Sequence, residues 1–176
     1  IYMEGHIHSE YGKMGMGVLR YLENKIVCVI DSKFSNSNIK DHYPNLKPVP
    51  IVNNLESAIQ LKAEVLILGI APSGGKVPSD WYPIIKLALS KGLSIINGLH
   101  DLLENRFRNL ITKKNQWIWD VRVPNFVPEI ATGKAAKLNN KRLLMVGTDM
   151  ACGKMTTALE VLTWSKQNKL KSGFIA

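Results

Sequence analysis

Arg142-Leu143-Leu144-Met145-Val146-Gly147-Thr148-Asp149-Met150-Ala151-Cys152-Gly153-Lys154 decides how this chain is read. The apolar run 142–146 predicts a strand, and two glycines bracket the turn after it. From Lys154 to about Asn168, Met155, Ala158, Leu159, Leu162 and Trp164 recur as the broad apolar face of a helix. Strand, glycine-rich turn, Gly-Lys and helix, in that order, make a phosphate-binding loop (P-loop). The amides of such a turn point inward at phosphate oxygens, the helix N-terminus adds positive potential, and Lys154 is placed to reach a terminal phosphate. Were Gly147 and Gly153 to serve only a tight strand-to-helix turn, the lysine and both flanking elements would be coincidences.

The loop departs from the usual pattern, which has four residues between its glycines and a Ser or Thr directly after the lysine. Here five residues separate Gly147 from Gly153, and Met155 follows Lys154. The longer spacer resembles the Gly-Thr-Asp-x-x-x-Gly-Lys loop of dethiobiotin synthetase and related ATP-dependent enzymes, matched by Gly147, Thr148, Asp149, Gly153 and Lys154. A methionine has no oxygen for magnesium, so Thr156 or Thr157, from the next helical positions, would have to supply it. The phosphate-binding set expected is therefore Gly147, Thr148, Asp149, Gly153, Lys154, Met155 and Thr156, with magnesium possible through Thr156.

Upstream, the chain alternates short apolar runs with segments of helical period, the signature of a parallel sheet with crossover helices. Lys13 to Leu22 places Met14, Val18, Leu19 and Leu22 at helical spacing, and Ile26 to Ile30 reads as a buried strand. A short run at 49–52, a helix from about Leu55 to Leu61 and a strand from Glu64 to Ile70 follow. Ser79 is the expected cap of a helix from Trp81 to Ser90, and Leu93 to Asn97 is the next strand. Between Asp120 and Lys141, Pro124, Pro128 and Gly133 interrupt the pattern while lysines accumulate. The expected organisation is a Rossmann-like parallel-sheet α/β domain over 1–125, a linker over 126–140, and over 141–176 the first strand, loop and helix of a P-loop NTPase-like α/β domain. Gly173 to Ala176 reads as another strand beginning. Two strands cannot bury a parallel sheet, so the sequence reads as ending inside that second domain.

Ligand-binding candidates in the first domain gather where strands end. Gly12, Gly15 and Gly17 form G-x-x-G-x-G, a weak echo of the dinucleotide fingerprint G-x-G-x-x-G. Asp31 follows a strand, where an acid accepts a ribose hydroxyl or simply makes a turn. Ala71, Pro72 and Gly74 lie in the glycine-rich segment 69–75 at a strand's carboxyl end, where open α/β sheets bind ligands. His100 and Asp101 follow another strand; they are the catalytic candidates, with helix capping by Asp101 as the plainer account. His6 and His8 share one side of an extended segment without a carboxylate or cysteine beside them, so they do not predict a metal site. Trp117 and Trp119 alternate like a half-buried strand and read as core residues.

The bulk properties set limits. No apolar run among the 176 residues approaches the roughly 20 that a membrane span needs. Ile1-Tyr2-Met3-Glu4-Gly5-His6 lacks the basic start and apolar stretch of a secretory signal and reads as a strand entered midway. The two cysteines, Cys28 and Cys152, have neither metal-ligand spacing nor disulfide density, so a reducing cytoplasm is the simplest compartment. A net charge of +9 favours an anionic partner such as nucleotide phosphate or an acyl-CoA. The basic residues are scattered and lack interleaved aromatics, which disfavours nucleic acid.

Taken together, Gly12 to Tyr21, Ile30-Asp31-Ser32, Gly69-Ile70-Ala71-Pro72, Gly98-Leu99-His100-Asp101 and Gly147-Thr148-Asp149 through Gly153-Lys154-Met155-Thr156-Thr157-Ala158-Leu159-Glu160 resemble the D-glutamate N-acetyltransferase (DgcN-like) family. That resemblance implies a Rossmann-like N-terminal domain, a P-loop C-terminal domain, and acetyl transfer from acetyl-CoA to a D-amino acid's amine. It identifies Met155 as a family feature and assigns no catalytic base. Three function classes stay open: a transferase whose P-loop holds acetyl-CoA or a nucleotide, an ATP-dependent ligase or kinase like dethiobiotin synthetase, and a non-catalytic nucleotide-sensing module. The partners expected are then a nucleotide or CoA ligand, with a homo-oligomer left open. Turnover is expected of the full-length protein rather than of these residues alone.

Overall fold

The computed structural model describes residues 1–124, 126–127, 129–149 and 152–175, and the chain divides into two compact units, Ile1–Phe126 and Val127–Ala176. In the first, five short strands are assigned: β1 (Val29–Ile30), β2 (Ile51–Val52), β3 (Val65–Ile67), β4 (Ser94–Asn97) and β5 (Ile118–Asp120). β1 pairs with β2, and β3–β4–β5 form a second ladder, all parallel. Residues 1–3 join the two ladders. Tyr2 bridges Ile30 on one side and Leu68 on the other, both in parallel sense. The amide of Met3 donates to Ile30 O at 2.9 Å, and that of Tyr2 donates to Ile67 O at 2.8 Å.

Counting residues 1–3 as the first strand, the spatial order is β2, β1, residues 1–3, β3, β4, β5, or 3-2-1-4-5-6 in chain order. That is the order of a doubly wound Rossmann-like sheet, with its reversal between the first and fourth strands. The period-2 alternation of strand side chains splits the core across the two faces. Ile1, Met3 and Val29 face one side with Leu19 of α1 (Lys13–Tyr21) and Ile39 of α2 (Ile39–His42). Cys28, Ile30, Leu66, Leu68 and Ile95 face the other. There they meet Leu55 and Ala58 of α3 (Leu55–Gln60), Ile85, Ala88 and Leu89 of α4 (Tyr82–Ser90), and Leu103 and Phe107 of α5 (Leu103–Phe107).

α1 lies close on the sheet because two glycines meet. A Cβ at Gly69 would stand 2.6 Å from Ile1 Cγ2 and 3.0 Å from Gly15 Cα, and the Gly15 amide donates to Gly69 O at 2.7 Å. Only glycine permits that approach.

Several sequence expectations are corrected. Ser79 does not cap α4; it opens a short 3₁₀ turn, Ser79–Trp81, which runs directly into the helix. Trp117 and Trp119 are 41% and 53% exposed, and the strand buries Ile118 and Asp120 instead. The alternation was real, but its phase is opposite. Asp101 does not cap α5; its Oδ2 accepts the Val77 amide at 2.6 Å. Asp120, on the neighbouring strand, takes the capping role, with Oδ1 accepting the Leu103 amide at 3.1 Å and Oδ2 that of Glu104 at 3.0 Å.

In the second unit α6 (Lys154–Gln167) forms as expected, preceded by a 3₁₀ turn at Lys134–Lys137. The strand expected over 142–146 is not assigned, and neither is one over 173–175; Ala176 lies outside the described residues. A strand exists only through its ladder partner, and among the described residues 142–146 has none. Leu143, Leu144 and Val146 stand 73%, 82% and 79% exposed, and α6 buries none of its residues.

The buried Asn97–Asp120 pair is the polar keystone of the loop after β4. Asn97 Nδ2 donates to Asp120 Oδ1 at 2.8 Å and to Asp101 O at 2.6 Å, while its Oδ1 accepts the Leu99 amide at 3.0 Å. Asp120→Ala strands two amides and half of this network, and urea unfolding is expected to show a loss of roughly 2–4 kcal/mol, with Asp120→Asn losing less.

Candidate functional site

In the P-loop region the described residues run to Asp149 and resume at Cys152; Met150 and Ala151, within the spacer, lie outside them. Gly153 has φ +91°, a backbone setting that favours glycine, and caps the N-terminus of α6. A Cβ at Gly147 would collide with Cys152 Sγ and crowd the Lys154 stem. Both glycines are thus needed for the chain to fold back on itself there. The Lys154 ammonium donates to Asp149 O at 2.5 Å and contacts Cys152 Sγ at 3.5 Å, so the cation lies over the loop.

Of the two hydroxyls considered for magnesium, that of Thr157 donates to Gly153 O at 3.0 Å and is already engaged. Thr156, one position earlier, is exposed, as is Met155. Thr148 and Asp149 open the spacer and are also exposed.

In the first unit the candidates collect at the carboxyl edge of the sheet. Asp31, immediately after β1, is wholly buried; its Oδ1 accepts the Lys33 amide at 3.1 Å, and its Oδ2 has no hydrogen-bond partner among the described residues. A buried carboxylate oxygen without a donor is costly and marks a place where a ligand's hydroxyl or amine would be welcome. Beside it, the Glu4 carboxylate accepts both the amide and the hydroxyl of Ser32, clamping the loop after residues 1–3 to the loop after β1. Gly12 and Gly15 sit under the chain's own atoms, His6 O and Met3 respectively, whereas Gly17 and Gly74 face open space. The Ala71 amide donates to Tyr11 O at 2.7 Å, which ties the segment after β3 to the start of α1, and Pro72 follows it. His100 is exposed, its ring lying against Gly75 and its amide donating to Gly75 O at 2.8 Å.

Glu4, Asp31, Ala71, Pro72, Gly74 and His100 therefore share one edge although they span nearly a hundred residues of sequence. Glu4 was not singled out from the sequence, and Ser32 only within Ile30-Asp31-Ser32, because nothing local marks a surface Glu and Ser as partners. Among the described residues no helix is long and apolar enough to cross a membrane.

Two titrations report on these surroundings. Burial, reinforced by the charges of Glu4, Asp80 and Asp31, pushes the Tyr2 phenol from its ordinary 10.0 up to about 12. The unfolded chain releases this proton first, so the stabilisation is whole below pH 10 and lost as pH rises through 12. Tyr2→Phe is expected to remove that part of the alkaline stability slope in a pH series of urea unfolding curves. For Cys152, desolvation pushes the thiol up, but a backbone hydrogen bond of Asp149 and the hydrogen bond and charge of Lys154 outweigh it and hold the thiol below its ordinary value. Burial raises that of Cys28. Iodoacetamide at neutral pH is expected to label Cys152 first, more slowly in Lys154→Ala, and Cys28 only on unfolding, as peptide mapping would show.

Residues 32–124 match a domain of unknown function, DUF1611_N, described as a Rossmann-like domain, and residues 129–176 match DUF1611_C, a P-loop domain. A D-glutamate N-acetyltransferase of a Pseudoalteromonas species is 41% identical over 122 residues, covering 68% of this chain and 36% of that protein. One from Tritonibacter scottomollicae is 36% identical over 124 residues, covering 69% and 37%. The crystal structure of a DUF1611 family protein from Anabaena variabilis superposes with a TM-score of 0.87 at 39% identity, covering 95% of this chain and 49% of that one. The chain thus spans about a third of the curated relatives and about half of the solved structure. With a 3-2-1-4-5-6 parallel sheet in one unit and a glycine-lysine loop opening a helix in the other, the chain belongs to the DUF1611 family, in its Rossmann-like and P-loop parts.

Proposed function

We propose that this chain supplies the Rossmann-like domain and the phosphate loop of an N-acetyltransferase that moves an acetyl group from acetyl-CoA to the amine of a D-glutamate-like amino acid. In that reaction the amine nitrogen attacks the thioester carbonyl, the C–N bond forms as the C–S bond breaks, and the CoA sulfur leaves with the proton the amine gives up. The observation that carries the reading is the loop itself, with the Lys154 ammonium lying over a turn that Gly147 and Gly153 allow to close. Such a turn suits the phosphates of CoA as well as those of a nucleotide. The names of the two curated relatives support the transferase chemistry.

Within this reading Gly147, Thr148, Asp149, Gly153, Lys154, Met155 and Thr156 line the phosphate site, and Asp31, Ala71, Pro72, Gly74 and His100 border the edge where the acceptor would lie. Asp101 supports rather than reacts, since its carboxylate is held by the Val77 amide. The five-residue spacer favours a second reading, an ATP-dependent ligase or kinase with magnesium held through Thr156.

Calorimetry of the full-length protein with acetyl-CoA, with ADP, and with ATP with and without magnesium separates the two. The transferase reading expects acetyl-CoA to bind without magnesium, and Lys154→Ala to weaken it by about tenfold or more. Magnesium-dependent ATP binding with no affinity for acetyl-CoA favours the ligase or kinase. Undiminished binding of every phosphate ligand by Lys154→Ala overturns the phosphate site itself.

A further inference from the structure

His8, in the loop after the first strand, and His42, the last residue of α2, face one another with His8 Nε2 and His42 Nδ1 3.0 Å apart. The hydrogen bonds at the far sides of the two rings decide what those facing nitrogens carry. The Tyr43 hydroxyl donates its single proton to Ile7 O at 2.9 Å, so at its 3.3 Å contact with His8 Nδ1 the ring nitrogen must be the donor. The Ser37 hydroxyl likewise donates to Phe34 O at 2.6 Å, so at its 3.0 Å contact the donor is His42 Nε2. In neutral rings both facing nitrogens then present lone pairs, and two lone pairs 3.0 Å apart repel unless a cation lies between them.

We propose that His8 Nε2 and His42 Nδ1 bind one divalent transition-metal ion of the zinc class, with Tyr43 and Ser37 as the hydroxyls that orient the two ligands. Metal-ligating histidines regularly engage their second ring nitrogen in this way, which fixes both tautomer and ring direction. Two Zn–N bonds of about 2.0–2.1 Å at a tetrahedral angle put the nitrogens about 3.3–3.4 Å apart, so a few tenths of an ångström of opening admits the ion. Phe34 packs edge-on against both imidazoles, with centroids 4.9 Å from His8 and 5.1 Å from His42, and His8 also stacks on Tyr43 at 5.6 Å. The rings are therefore held in place before any ion arrives.

His6 is not part of the pair: its Nδ1 meets Ser9 Oγ at 2.7 Å and its ring packs edge-on against Tyr11, with centroids 5.6 Å apart. Among the described residues no group of three or more His, Cys, Asp or Glu side chains could hold a metal, so the ion's other positions fall to water or a small anionic ligand. The site lies at the carboxyl edge of the sheet, since the turn Ser32–Phe34 leads directly from Asp31 to the ring that covers both histidines.

The test titrates Zn²⁺ alone into the chelator-stripped full chain, followed by calorimetry and by long-range ¹H–¹⁵N NMR of the imidazoles. Expected are one Zn²⁺ per chain, zinc-dependent shifts confined to His8 Nε2 and His42 Nδ1, and at least a tenfold weakening in His8→Gln and in His42→Gln. Tyr43→Phe and Ser37→Ala are expected to weaken binding by up to about 10–100-fold without abolishing it. The NMR readout on the unsubstituted chain keeps the test decisive if a variant fails to fold. Ring signals that move with pH but not with zinc would mean that a shared proton holds the pair, and would overturn the proposal. So would zinc binding that survives both histidine substitutions but disappears in Cys152→Ser.

Discussion

Everything in the first unit depends on residues 1–3 lying between β1 and β3. Without them the structure holds two unrelated ladders of two and three strands, each too small to bury its own faces. With them, hydrogen bonds on both sides of Tyr2 close one six-stranded parallel sheet whose order reverses at that strand. The reversal sends α1 and α2 to one face and α4 and α5 to the other, and in open sheets of this order the carboxyl edge at the reversal is where ligands bind. Met3 and Ile1 fill one core while the Tyr2 ring meets Trp81 edge-on at 5.4 Å in the other. The same insertion accounts for the Gly15–Gly69 approach, since α1 must cross the sheet at the strand it follows.

That geometry explains why polar groups gather at one edge. Glu4 and the Asp31–Ser32 pair follow adjacent strands and can clamp one another. Asp31 is buried there with an oxygen left over, Asn97 and Asp120 stitch the loop carrying His100, and His8 meets His42 beyond them. Most of these residues end a strand or lie in the loop after one, as in open α/β sheets generally, where the sheet supplies rigidity and the loops supply chemistry. The P-loop unit rests on a different constraint. Its turn closes because two glycines let the chain pass under Cys152 and Lys154, and the lysine is held over the loop by a carbonyl rather than by a distant acid.

The sequence carried the element order well, because βαβ alternation is written in local periodicity. It overstated strand lengths, giving 26–30 where only Val29–Ile30 is laddered, since an apolar run continues into packed loop without needing a partner. It also recovered the alternation around Trp117 but not its phase. Period 2 says that neighbours face opposite ways, and only the position of α5 and β4 says which way is inward. The P-loop was legible because its chemistry lies within eight consecutive residues. The Glu4–Ser32 clamp, the capping of α5 by Asp120 and the His8–His42 pair were not, because each joins residues between 16 and 34 positions apart.

By itself, then, the sequence determined the alternating α/β class, the glycine-lysine loop and helix α6, all of which follow from spacing along the chain. Only the tertiary structure decided the strand order, the phase of β5, the unpartnered oxygen of Asp31 and which nitrogens of two distant histidines meet. The physical reason is that ladder partners and buried hydrogen bonds are chosen by what the folded chain brings within about 3 Å, and no local pattern encodes that.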